Sequence, residues 1–507
     1  MHLNAAKTII GGLWGAVGVG GQALLQLAVL MVLARQLTPA DYGLANTAVI
    51  VLLFAKMLFE LGIGQALVQK PEVSERDFHT ASTMAIVLGV AGATTFILIS
   101  KPIAVLFRMP MLEEIFPFYS FVFVLRGVSL ASEAKLLRNL QFRLLAGLEA
   151  LSYTLGYAGF GISMALYGMG VWSLVGAHVS QELLKTIGLW AFSPPQYARK
   201  LRLQPVRQLL RFGVGQSYAQ VASYAANQGD TLIVAKLLGE HAVGIYGRTY
   251  QLVVMPFNLL GRAIDKVLFP VLAHFQHDGA RLARNFKRSL SLITIVGFPI
   301  SLLLVVLAQE IVHCVLGDRW NSVILPFQIM ATGLFFRTSY KVCDALVKAT
   351  GAVYWRAAIQ TIYAAVVLLG AMVAAQWGIS AVAFVAQVAL VANFIFMFGL
   401  ACRLATSSWI QMCRSFLPGL LIGAVTSLSA LALVSLLRHY QSPDVVTIAV
   451  VVLLTLVFAG ATLWGCRNWM LAEDAAWFLR ELVSGLPNFA RVGFDRLLRS
   501  KTYNGEQ

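Results

Sequence analysis

The stretch Gln228–Leu260, QGDTLIVAKLLGEHAVGIYGRTYQLVVMPFNLL, reads as the end of one apolar helix, a tight turn at Leu238-Gly239-Glu240, and the start of the next. It has a double near the N-terminus. In Val32–Ile50, VLARQLTPADYGLANTAVI, the residues Ala34, Arg35, Leu37 and Gly43 stand 201 positions ahead of Ala235, Lys236, Leu238 and Gly244. A second echo has nearly the same offset: Leu125-Arg126 followed by Glu133-Ala134 recurs 211 positions later as Phe336-Arg337 followed by Asp344-Ala345. In each copy a basic residue precedes an acidic one by seven positions inside an apolar helix. Two echoes in the same order predict a chain made of two copies of one membrane unit.

Composition sets the class. Of 507 residues, 58% are hydrophobic and only 12% charged, with mean hydropathy +0.75, whereas soluble domains carry about 25% charged residues. This is an all-α integral membrane protein. The net charge of +16 does not point to nucleic acid, because the basic residues lie mainly in short loops between apolar segments, where they set membrane orientation. Five scattered cysteines, Cys314, Cys343, Cys402, Cys413 and Cys466, have neither a disulfide nor a metal-ligand spacing. Lys7 precedes an apolar run, Ile9 to Leu33, expected to be an uncleaved first helix.

At about 20 apolar residues per span, the chain divides into about 14 helices: 9–34, 44–68, 80–106, 115–135, 145–167, 169–193, 210–237, 242–272, 288–315, 322–348, 353–376, 379–404, 414–437 and 445–466. Very short turns, Tyr167-Gly168-Met169-Gly170 and Trp377-Gly378, fall at matching places in the two halves. One set of alternate loops is rich in Lys and Arg: Lys135, Arg138, Arg143; Arg199, Lys200, Arg202, Arg207; Arg281, Arg284, Lys287, Arg288; Arg403, Arg414. The other holds only Arg35, Lys101, Arg108, Arg319 and Arg438. The rich side is cytoplasmic, which places both termini there. Six helices per half then imply parallel repeats about an axis along the membrane normal. The expected divisions are an N-terminal six-helix lobe at 1–194, a basic cytoplasmic linker at 195–209, a C-terminal six-helix lobe at 210–405, two added helices at 406–466, and an amphipathic cytoplasmic tail at 467–507.

A charge at the centre of a membrane helix costs at least ~2.5 kcal/mol, so each needs a reason. Lys56 and Glu60 sit four apart on one face, as an internal ion pair or as cavity residues. Arg126 lies near mid-depth. Arg337, Lys341, Asp344 and Lys348 form a stripe at i, i+4, i+7 and i+11, which suits a water-filled cavity. Gln216, Gln220, Tyr224, Asn227 and Asp230 make a polar stripe on helix 7, either facing an aqueous path or bonding between helices. On helix 8, Arg248 is a candidate ligand, while Arg262, Asp265 and Lys266 read as interfacial. Asp230, Glu60 and Asp344 are the acids able to bind a coupling cation or proton. No phosphate-binding loop and no HExxH are present, and Glu310 and Asp318 read as solvated surface acids. Neither a catalytic residue, a cofactor nor a metal is expected.

The segments LARQLTPADYGL (Leu33–Leu44), ELGIGQALVQ (Glu60–Gln69), RGVSLASEAKLLRNLQFR (Arg126–Arg143), LFPVLAHFQHD (Leu268–Asp278) and the opening stretch resemble bacterial polysaccharide transporters. The likeness is to the colanic acid exporter-like branch of the multidrug/oligosaccharidyl-lipid/polysaccharide exporter superfamily, over about residues 8 to 405. The resemblance implies two six-helix lobes around a V-shaped cavity, alternating access, and a substrate made of an oligosaccharide linked by pyrophosphate to undecaprenol. It implies flipping across the bacterial inner membrane for exopolysaccharide, capsule or O-antigen synthesis, beside polymerase and export machinery. Arg126, Arg337 and Lys341, with Lys56 and Arg248, are then expected to hold the pyrophosphate, and Gln220 and Asn227 the sugars. The competing account of these cations is a set of fixed salt bridges to Glu60, Glu133, Glu149 and Asp344. Functional alternatives are a lipid-linked peptidoglycan precursor flippase and a cation-coupled multidrug exporter, whose cavity would be acidic and aromatic. A membrane polymerase or ligase would need a large periplasmic loop, which the sequence lacks.

Overall fold

The computed structural model describes residues 5–70, 73–194, 197, 203–275 and 278–465. The tail 467–507, Arg199, Lys200 and Arg202 of the linker, and the side chains of Gln216, Arg262, Asp265 and Lys266 lie outside the described set. Among the described residues every regular element is helical. The long helices are α1 (Ala5–Gln36), α2 (Pro39–Glu60), α3 (Glu75–Leu98), α4 (Met111–Arg138), α5 (142–166) and α6 (Val171–Phe192). They continue as α7 (203–238), α8 (240–274), α9 (Gly279–Val306), α10 (324–349), α11 (Val353–Ala374), α12 (Ile379–Leu404), α13 (Leu417–His439) and α14 (Asp444–Gly465). Among the described residues eight helices, α2–α4, α9 and α11–α14, are long and apolar enough to cross a membrane. Helices α6 and α10, which carry Glu182, Lys185, Arg337 and Asp344, are not among these eight. α7 begins at Leu203, ahead of the expected 210.

Local chemistry explains the breaks. Helices α7 and α8 are divided at Gly239, whose φ of 83° only glycine adopts freely. The matching turn between α1 and α2 is built differently. Thr38 Oγ1 accepts from the Asp41 amide at 3.2 Å, Asp41 Oδ2 accepts from the Thr38 amide at 2.9 Å, and Pro39 opens the helix. Ser74 and Asp77 cap α3 the same way. Helix α5 carries a π-helical stretch, Thr154–Gly161, the kind of irregularity that concentrates at functional sites.

The two turns meet. At the α2–α8 crossing the backbones of the two halves touch: a Cβ on Gly43 would fall on the Glu240 carbonyl, and one on Gly244 on the Pro39 carbonyl. The two contacts are reciprocal, because Pro39 precedes Glu240 by the same 201 positions that separate Gly43 from Gly244. A clasp surrounds them. Arg35 Nη2 donates to the Cys314 carbonyl at 3.1 Å and Trp320 Nε1 to the Ala34 carbonyl at 2.9 Å. The Trp320 ring lies edge-on to Tyr42 at 5.4 Å.

Hydrophobic burial follows the same division. At the end of the molecule holding these turns, one core joins residues of both halves, from Leu33, Leu37 and Phe116 to Tyr246, Trp320 and Val382. At the opposite end the cores separate: Ile63, Leu67, Met84 and Leu130 form one, while Leu282, Phe286, Leu346 and Met397 form another. Helices α13 and α14 pack on α9 and the short Ala308–Val315 helix. Gly43→Ala or Gly244→Ala should destabilise the purified protein by about 1–3 kcal/mol through overpacking, read as a lower Tm. Gly147→Ala, where a Cβ meets nothing within 4 Å, should leave Tm in place.

Candidate functional site

The sequence-derived cations fall into two kinds of environment. Arg126 is held by carboxylates: Nε lies 3.2 Å from Glu60 and Nη1 2.6 Å from Glu133. Lys185 of α6 extends the network, 3.3 Å from Glu133 and 2.8 Å from Glu149, and Lys56 closes it at 4.0 Å from Glu60. For these residues the fixed salt-bridge account describes the geometry. The α10 stripe splits: Asp344 pairs with Lys348 at 2.6 Å and with Arg356 of α11, so its lower half is an ion pair. Lys341 is half-buried on the same helix.

Arg337 and Arg248 are different. Arg337 Nη1 donates to the Tyr250 hydroxyl at 3.2 Å, and its guanidinium lies 5.3 Å from the Tyr250 ring and 5.8 Å from Phe257. No described carboxylate is within ion-pair distance of it. Arg248 rests on the Tyr42 ring at 4.4 Å, and its buried Nε has no hydrogen-bond partner. Cation–π contact offers about 0.5–2 kcal/mol, less than a buried charge asks for. Two cavities of ≈ 290 Å³ each flank Arg248 and share Gln26, Leu30, Asn46 and Gln251. One continues past Gln228, Tyr250 and Asn258, the other past Tyr119, Tyr153 and Tyr157. The hydroxyls of Tyr42 and Tyr119 are buried without a partner. Such a lining offers a guanidinium for an anion and amides and phenols for hydroxyl-rich groups.

The acids sort similarly. Asp230 is buried, accepting from the Tyr246 hydroxyl at 2.7 Å and the Thr231 amide at 2.7 Å. It ties α7 to α8 through neutral donors, and Arg337 is the cation within its electrostatic reach. Gln220 is half-buried and Asn227 exposed; neither lines the two cavities. Sequence reasoning missed the tyrosines around Arg248 and the α6 trio His178, Glu182 and Lys185. For the trio a signal was available, since three titratable residues recur within eight positions of one apolar helix.

Arg126→Gln removes the cation shared by Glu60 and Glu133, leaving each with only a lysine, and should cost about 1–3 kcal/mol, seen as loss of folded protein in membranes. Adding Glu133→Gln should recover part of that loss. Arg248→Gln, which strands no carboxylate, should accumulate normally.

Residues 32–325 match the family described as "Polysaccharide biosynthesis protein". The chain is 27% identical over 326 residues, 64% of its length, to the lipopolysaccharide biosynthesis protein WzxC of Escherichia coli K12, covering 66% of that protein. It is 26% identical over 318 residues to the succinoglycan biosynthesis transport protein ExoT of Rhizobium meliloti, covering 62% of this chain and 64% of the relative. The match thus spans about two thirds of these relatives' own length. Among solved structures the fold is similar to the lipid II flippase MurJ in an inward closed conformation, with TM-score 0.71 at 12% identity, over 89% of this chain and 99% of that one. An inward-facing multidrug resistance MATE transporter gives 0.56 at 14% identity, over 76% and 94%. The chain, a multi-pass membrane protein, belongs to the polysaccharide biosynthesis protein family.

Proposed function

We propose that this protein is a flippase that moves an undecaprenyl-pyrophosphate-linked oligosaccharide across the bacterial inner membrane by alternating access, without catalysing a reaction. The observation that carries this function is Arg248, an interior guanidinium lining two polar cavities, with Arg337 held against Tyr250 of one of them; neither arginine has a carboxylate in ion-pair distance among the described residues. A pyrophosphate supplies the missing charge, and the surrounding Gln, Asn and Tyr side chains suit sugar hydroxyls. The lipid tail stays in the bilayer. The biosynthetic names of the relatives support a polysaccharide precursor as cargo. A drug exporter's acidic cavity is opposite in sign to this one.

The architecture proposed is fourteen transmembrane helices: two six-helix lobes, 1–194 and 210–405, related as parallel repeats, followed by two added helices. The reciprocal Gly43–Glu240 and Gly244–Pro39 contacts support an axis along the membrane normal, since α2 and α8 start at the same end of the molecule. The Lys and Arg distribution puts the clasp end outside and both termini in the cytoplasm. With the shared core outside and separate cores inside, the cavity opens toward the cytoplasm, where lipid-linked units are made. Of the residues expected to hold the pyrophosphate, Arg248 and Arg337 are the principal ones and Lys341 an auxiliary. Lys56 and Arg126 belong to the ion network. Gln220 and Asn227 remain sugar-side candidates, and polymerase or export machinery the partners on the outer face.

Arg248→Ala and Arg337→Ala should reach normal membrane levels yet lower polymer export at least about tenfold, the scale of one lost charge-assisted hydrogen bond. Lipid-linked oligosaccharide should accumulate. The lysine variants should fall between, keeping charge without the bidentate fork. Normal export by Arg337→Ala at normal level would remove the clamp.

A further inference from the structure

The offset of 211 that relates Arg126 to Arg337 and Glu133 to Asp344 extends through the next two helices. It sets Glu149 against Gln360 and Glu182 against Asn393. In the C-terminal half these positions join the fifth helix to the sixth, while in the N-terminal half Glu149 alone does so. Glu149 meets Lys185 and Gln181, while Gln360 donates to the Tyr340 hydroxyl at 2.7 Å and to Asn393 at 3.3 Å. The C-terminal half thus carries carboxamides, which do not titrate, where the N-terminal half carries carboxylates.

Counting the N-terminal network gives four carboxylates, Glu60, Glu133, Glu149 and Glu182, against three cations, Lys56, Arg126 and Lys185. Glu182 is the surplus acid. It lies within electrostatic reach of Arg126, Lys56, His178 and Lys185, yet its carboxylate makes no hydrogen bond or ion pair with a described residue. His178 stands one turn earlier on the same face of α6 and its ring is likewise without a hydrogen bond among the described residues. Tyr119 of α4 lies edge-on to His178 at 5.6 Å, fully buried, with its hydroxyl unpartnered. The same Tyr119 lines the cavity that holds Arg248.

We infer that His178 and Glu182 form a proton-binding site in the N-terminal half, adjoining the Arg248 cavity through Tyr119. Glu182, an interior carboxylate with no direct partner among the described residues, is costly in a low-dielectric setting. A proton on His178, one turn away, offsets that charge, and imidazole is the side chain suited to exchange that proton near physiological pH. The groups facing the imidazole set the balance. Glu182 stands one turn away on the same helix face, the cations Lys56, Arg126 and Lys185 lie within electrostatic reach of the pair, and the neutral phenol of Tyr119 abuts the ring. Proton occupancy and an anion at Arg248 then influence one another across a single tyrosine, which couples flipping to the proton gradient. The coupling rests on the flippase function proposed above; the proton site itself does not.

The site is tested on full-length protein in nanodiscs, with histidine labelled by nitrogen-15 and titrated from about pH 8 to about pH 4.5 without substrate. One signal should disappear in His178→Gln, and its midpoint should move down by about one pH unit in Glu182→Gln. The midpoint should stay put in Glu182→Asp and in Glu75→Gln, an exposed acid. A ring that never protonates, or a midpoint indifferent to Glu182→Gln, overturns the site. In proteoliposomes carrying fluorescent undecaprenyl pyrophosphate, a pH gradient should speed flipping several-fold in the natural protein and not in Glu182→Gln. Acceleration by a sodium gradient in place of the pH gradient overturns the proton assignment. A normal titration with no flipping at all upholds the proton site and sinks the flippase function instead.

Discussion

Everything in this molecule hangs on two backbones touching. At the α2–α8 crossing neither Gly43 nor Gly244 has room for a side chain, so the two halves approach as closely as main chains allow. From that contact the clasp of Arg35, Trp320 and Tyr42 acquires its geometry, and so does the core running from Phe116 to Val382. The cavities around Arg248 sit directly behind it, since Tyr42 presents one side to Trp320 and its face to the guanidinium. A single ring therefore touches both the clasp and the guanidinium.

Charge is distributed unequally over this scaffold. The N-terminal half spends its interior cations on its own carboxylates. The C-terminal half and the crossing leave Arg248 and Arg337 on aromatic faces. An aromatic quadrupole attracts a guanidinium without neutralising it, so these two arginines keep most of their capacity to attract an anion. Asp230 is satisfied by a phenol and an amide, so it does not quench them by direct contact.

Much of the fold was legible in the sequence because turns and apolar length are local properties. Gly239 and the Thr38-Pro39-Ala40-Asp41 capping pattern announce their turns within four residues, and the 201-position echo already pairs Gly43 with Gly244. Arg126 and Glu133, seven residues apart, meet at 2.6 Å, as the salt-bridge account of the interior cations has it rather than the pyrophosphate one. The same spacing misleads for Arg337 and Asp344. There Arg356 and Lys348 claim the acid, and Arg356 comes from the next helix. The phenols around Arg248 were illegible for a similar reason. Tyr42, Tyr119 and Tyr157 come from three helices far from it in sequence, and helical periodicity cannot say which faces converge. The π-helical turn that carries Tyr157 also leaves no composition signal beyond its glycines.

The glycine crossing has a mechanical consequence. Because it sits at one end of helices that run the depth of the molecule, it works as a fulcrum with a long arm. Twenty-five helical residues extend about 37 Å, so a tilt of roughly ten degrees at the crossing sweeps the far tips through about 6 Å. Small angular changes near Gly43 and Gly244 are thereby geared up at the far tips, while the side chains at the fulcrum barely move.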